Sequence, residues 1–177
     1  MAWSAPMTAV ASSVFTAAQF NTFLRDNLNE TAPAKATTAG AHFAVSDTNE
    51  ISERLSEAAS VVTSQTTTST AYTDLATPGP AVTVDTGPYA FVMVHGAMDN
   101  TGAGASRMSF EVTGASAVTA VDINGVGVFG VAGAGAVLSG LVLLTTLTPG
   151  NNTFTAKYRV NSGTGTFLNR RISVYPL

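Results

Sequence analysis

A chain of 177 residues has room for one packed domain with an appendage rather than two full domains, since single domains run most often to roughly 100–150 residues. With 45% hydrophobic and only 11% charged residues its surface is neutral and hydroxyl-rich, and a formal charge of -3 gives no general attraction to nucleic acid or anionic lipid. Zero cysteines exclude a disulfide framework, a Cys-ligated metal and a thiol nucleophile.

The opening MAWSAPMTAVASSVF lacks the basic start and continuous apolar run of a secretory signal, so the chain reads as made in a cytoplasm without export through a signal peptide. Next comes TAAQFNTFLRDNLNETAP. Thr16 followed by Gln19 matches a capping box, and Phe15 and Phe20 occupy the two positions of a hydrophobic staple. Phe20, Phe23, Leu24 and Leu28 recur at helical spacing, and Pro33 is the expected stop. A lone amphipathic helix of this length is marginal in water, so its apolar stripe needs a partner. Residues 1–33 thus read as an N-terminal arm and anchoring helix.

Residues 34–71 read as a partly extended linker. A loop or short strand is predicted through His42–Val45 and one helical turn near Ile51–Leu55, and the Ser/Thr-rich, β-branched VVTSQTTTSTAYT is extended chain leading into a first strand.

Residues 72–177 read as an antiparallel β-sandwich, jelly-roll-like. The runs AVTV, YAFVMVHGAM, SRMSFEV, TFTAKYRV and RISVYP are separated by PGP, TGP, NTGAG, TPGNN and NSGTG, and such short strand-length intervals between Gly, Pro and Asn turns are the pattern of a sandwich. In TFTAKYRV, Phe154, Ala156, Tyr158 and Val160 alternate with Thr155, Lys157 and Arg159, which gives one apolar and one wet face.

The uncharged GVGVFGVAGAGAVLSGLVLL, residues 125–144, opens with a literal G-x-G-x-x-G. A dinucleotide loop needs an acid about 20 residues further on, and no Asp or Glu follows Asp122. A membrane span is disfavoured by five glycines between Val126 and Leu144 and by turn-punctuated strands on both sides. The stretch reads as two strands around a Gly-rich turn, buried either by the opposite sheet of the same sandwich or by sister chains. Closed symmetry would bury the excess apolar surface, so a homotrimer is expected, with Val126, Val128, Phe129, Val131, Val137 and Leu138 at the subunit interface; a monomeric sandwich is the alternative.

Little here points to catalysis. His42 and His95 are the only histidines, and Asp99, four residues from His95, would sit about 13 Å along a strand, too far to orient it. No paired carboxylates, H-E-x-x-H or Asp-rich calcium loop is present, so no enzyme activity, metal or cofactor is expected.

The segment TAAQFNTFLRDNLNETAPAKATTAG, preceded by Trp3, resembles the opening of small virion structural proteins of tailed phages that infect actinobacteria. LTPGNNTFTAKYRVNSGTGTFLNRRISVYPL is similar to the end of the β domain in the same group, which closes on an NR-x-I-x-V-x-P phrase. The resemblance covers about a third of the chain, at both ends. It implies a virion component: a tail-tip or fibre-like minor tail protein, or alternatively a head-decoration protein reinforcing the shell at capsomer junctions. Other phage proteins, of the tail or the major capsid, would be its partners, and a host cell-surface glycan a further one, with NTGAG and NSGTG as contact loops. The anchor would use Trp3, Phe15, Phe20, Phe23, Leu24 and Leu28, with Arg25 and Asp26 as polar contacts. No nucleic acid partner or membrane span is expected.

Overall fold

Thr16 starts the first helix as its context predicts. Its hydroxyl accepts from the Gln19 N–H, and the Gln19 side chain accepts the Thr16 N–H at 2.9 Å. α1 (Ala17–Phe20) runs through a widened π turn, Asn21–Arg25, into α2 (Asp26–Asn29). The helix ends before Pro33. That proline instead sits in the first turn of α3 (Ala32–Lys35), where a missing N–H has no cost because the first N–H groups of a helix lack partners in any case. The computed structural model describes residues 3–8, 10–130 and 132–177, and the chain divides into two units, Met1–Leu55 and Ser56–Leu177.

In the first unit the polar stretch after α3 forms a hairpin, β1 (His42–Asp47) with β2 (Glu50–Arg54), closed by Asn49 at a φ of 57°. The helical turn expected near Ile51–Leu55 is therefore a strand. Its charged residues pair locally rather than along a helix face: the Glu53 carboxylate accepts the N–H groups of Thr37 and Thr38, and Lys35 bonds the Ile51 carbonyl at 2.7 Å.

The second unit is a β-sandwich. One sheet has the order β5 (Ala81–Thr86), β10 (Gly150–Val160), β7 (Ser106–Gly114), β8 (Val126–Val128). The other runs β3 (Glu57–Val61), β11 (Gly165–Pro176), β6 (Ala90–Asn100), β9 (Ala136–Leu144), with β4 (Gln65–Thr67) also paired to β11. All pairings are antiparallel, and from β5 onward the chain passes between the sheets after every strand except β7, which is the jelly-roll order.

The Ser/Thr-rich segment read as linker is thus part of the sandwich. β3 and β4 are two pieces of one edge along the C-terminal strand, and the unit begins at Ser56 rather than at 72. Between the sheets lie Val92 and Val94 from β6, Phe110 from β7, Phe154 and Tyr158 from β10, and Phe167 and Ile172 from β11, all fully buried. The Tyr158 and Phe167 rings pack across the two sheets with centroids 5.0 Å apart. Two buried asparagines tie loops. Asn152 accepts the Ser116 N–H at 2.7 Å and donates to Thr86 Oγ1 at 2.8 Å; Asn100 accepts the Gly102 N–H at 2.9 Å and donates to the Ser162 carbonyl at 3.1 Å.

Candidate interaction surfaces

The N-terminal helix leaves its stripe uncovered within its own unit. Phe15 and Phe20 meet edge to face at 6.1 Å, as the staple predicts, yet both stay about half exposed, with Leu24 at 45% and Leu28 at 64%. Phe23 is half-buried and Trp3 is exposed. Arg25 and Asp26 pair with each other, Nε to Oδ1 at 2.8 Å, rather than with distant groups.

A bracing residue that the sequence reading does not single out is Asn27. It is buried, and its amide accepts the Ser4 N–H at 2.8 Å while donating to the Ser4 carbonyl at 3.0 Å and the Phe23 carbonyl at 3.1 Å. The N-terminal segment is thereby held along the helix, and the Trp3 N–H reaches the Asn49 carbonyl. An Asn inside an RDN run carries no periodic signal, since its partner is backbone. The result is a capped, braced helix with an apolar side free for another surface.

The sandwich has two unlike outer faces. On the β5–β10–β7–β8 sheet, the Asp122 carboxylate accepts Tyr72 Oη at 3.0 Å and both Nε (2.9 Å) and Nη2 (2.5 Å) of Arg159, with Arg107 at 3.4 Å. Lys157 pairs with Asp74 and Glu111 at 2.8 and 2.9 Å. Arg159 holds Asp122 below the usual carboxylate range, while burial, aided by the bond to Asp122, pushes the Tyr72 hydroxyl up to about 12. Two of the four cations in the acid-free last third thus neutralise acids from earlier in the chain, which makes this face polar and internally satisfied.

The β3–β11–β6–β9 sheet presents the opposite character. The nine residues of β9 pair with β6 without a bulge and alternate in exposure, with Val137, Ser139, Leu141 and Leu143 outward. Phe91 and Met93 on β6 and Tyr175 on β11 continue the apolar area, and with Leu141 they line a cleft of about 360 Å³ bordered by Glu57. Farther along lie Arg171 and His95, whose Nδ1 is 2.8 Å from Ser139 Oγ.

Among the residues expected at a subunit interface, Val137 is 67% and Phe129 56% exposed, Phe129 lying under the Arg107 guanidinium at 4.6 Å. Val126, Val128 and Leu138 instead face the core; strand parity turns them inward, and the residues of β9 that face outward beside Val137 are Ser139, Leu141 and Leu143. Val131 lies outside the described residues. The two Gly-rich strands do form, but β8 and β9 belong to different sheets, and β8 crosses β9 so closely at Gly140 that a Cβ there would lie 2.7 Å from Val126 Cγ1.

The expected contact loops are brought together at one end of the sandwich, where the Thr101 N–H donates to the Thr164 carbonyl at 3.0 Å. Comparison with known proteins finds no family model that matches the chain and no curated relative. Among the described residues no group of three or more His, Asp or Glu side chains is placed to hold a metal ion, and no helix is long and apolar enough to cross a membrane. His95 does not meet Asp99; its ring is held by a cross-strand serine, an arrangement that lacks the carboxylate a general base is oriented by.

Proposed function

We propose that the chain is a non-enzymatic structural protein of a phage virion: a homotrimer whose N-terminal arm anchors it to the particle and whose jelly-roll unit is displayed, most directly as a tail-tip or fibre-like minor tail component. The observation that carries this reading is the stripe of Phe15, Phe20, Leu24 and Leu28, left exposed on a helix that is otherwise capped, stapled and braced. A helix built with such local care and with no cover for its apolar side in its own unit fits docking to another protein. The sequence resemblance of both chain ends to virion proteins supports the same reading, and so does an apolar outer sheet face on the displayed unit.

Jelly rolls serve many unrelated functions, so the fold supports the proposal only through these surfaces. The test is particle incorporation of a chain lacking residues 1–33. The shortened chain should fold as a β unit and be missing from purified virions; recovery in virions at the full-length level would overturn the anchor. Counting copies per particle by quantitative mass spectrometry separates the tail reading, at tens of copies or fewer, from shell decoration at hundreds.

A further inference from the structure

The geometry points to the apolar outer face of β9, β6 and β11, centred on Leu141, as the surface through which one copy of this chain docks onto another. This rests on the self-association that the proposed function includes, and it assigns the contact to a face different from the glycine-rich turn.

β9 ends its sheet, and its hydrogen-bonded neighbour is β6 alone. Exposed edges in soluble proteins are blunted by a charge, a proline or a bulge. β9 has none of these: its nine residues AVLSGLVLL are uncharged and pair regularly along their whole length. With Val137 at 67%, Leu141 at 65%, Leu143 at 46% and Tyr175 at 43% exposure, beside half-buried Phe91 and Met93, the patch amounts to roughly 500 Å² of apolar surface, near the upper end of what a monomer carries. Burying it on two chains removes roughly 1,000 Å², the size at which specific interfaces begin.

The opposite outer face sharpens the assignment, because there β5, β10 and β7 carry ion-paired or hydrogen-bonded side chains, as in Lys157 with Glu111 and Thr83 with Thr153. Charges of both signs border the apolar area, Glu57 at the cleft and Arg171 farther along β11, so a rotated copy of the same face meets it without setting like charges together. A sister chain supplies a matching apolar face of the required area, and in a closed trimer the three copies of this face converge on the threefold axis, each meeting both neighbours.

The test is light scattering after size exclusion on the full-length chain, alongside Leu141→Asp, Leu143→Lys and a control, Ile123→Asp, at an exposed position outside the patch. The wild type and the control should run at three times 18.0 kDa, and the two patch variants at 18.0 kDa with unchanged far-UV circular dichroism. Self-affinity should fall on the order of 100-fold or more, as for a charge set unpaired into a buried contact. Patch variants that keep the wild-type mass, or a monomeric wild type, overturn the assignment. A wild type at twice 18.0 kDa with monomeric patch variants upholds the face and removes the trimer of the proposed function. The virion reading is decided separately, by incorporation of the chain without residues 1–33.

Discussion

Arg170 is fully buried between the sheets, and replacing it with Ala should be among the most damaging single changes in the jelly-roll unit. Its position follows from a bulge. β11 shifts register against β6 between Leu168 and Arg171, where Asn169 adopts a φ of 50°, so that Phe167 and then Arg170, Ile172 and Val174 face the core. The guanidinium lies over the Tyr158 ring, 5.2 Å from its centroid. It donates to the Thr63, Thr77 and Gly79 carbonyls at 3.4–3.5 Å and to Gln65 Oε1 at 3.1 Å, while Nε has no partner. These oxygens belong to the link between β3 and β4, to the start of β4 and to the approach to β5, so one side chain ties the broken edge strand to the sheet.

Each bond to a charged donor contributes about 1.5–3 kcal/mol at good geometry, but three of the four are long and the buried charge has its own desolvation cost. Removing the side chain leaves unsatisfied carbonyls and a cavity, for a net loss of about 3–5 kcal/mol. For a unit of this size that is a fall of roughly 10–20 °C in Tm. Thermal and urea unfolding of the full chain by circular dichroism measures it. Arg170→Lys, which keeps the charge but not the planar fork, should lie between Ala and wild type. A loss below about 1 kcal/mol for Arg170→Ala would show that the long bonds contribute nothing beyond the desolvation they offset, and would refute the clasp.

Gly140→Ala sets a Cβ against Val126 Cγ1 and should cost about 1–3 kcal/mol by overpacking, largely restored in the double variant Gly140→Ala/Val126→Ala, a coupling read in the same unfolding assay. Asn27→Ala should release the N-terminal segment from the helix, with faster amide exchange at Ser4, whereas amides of the jelly roll keep their protection. Thr16→Ala should lower helix content and destabilise the first unit by about 1 kcal/mol, checked by far-UV circular dichroism. Asp122 titrates below its unfolded value, so its ion pairs add stability above about pH 4 that disappears as the pH falls through its folded pKa. With its side chain 40% exposed the effect is about 1 kcal/mol or less, and Asp122→Asn should flatten that part of the stability profile as the pH is lowered from about 5.

Local chemistry made several elements legible in the sequence alone. The Thr16–Gln19 box and Phe15–Phe20 staple set the helix start because both act within five residues, and strict alternation in TFTAKYRV fixed which residues enter the core. The absence of acids after Asp122 excluded a dinucleotide loop for the glycine-rich stretch. Tertiary structure decided what depends on distant partners. Glu57–Val61 and Gln65–Thr67 become strands because the C-terminal β11 offers them an edge about a hundred residues away in sequence, and ISER joins a hairpin because β1 is beside it. AVLSGLVLL is apolar at nearly every position and shows no alternation, so which parity faces out depended on its register with β6, and that register turns Leu138 inward and leaves Leu141 exposed. Arg170 is the sharpest case: a charged residue in RRISVYP reads as a wet face, and a one-residue bulge at Asn169, set by pairing with β6, puts it inside.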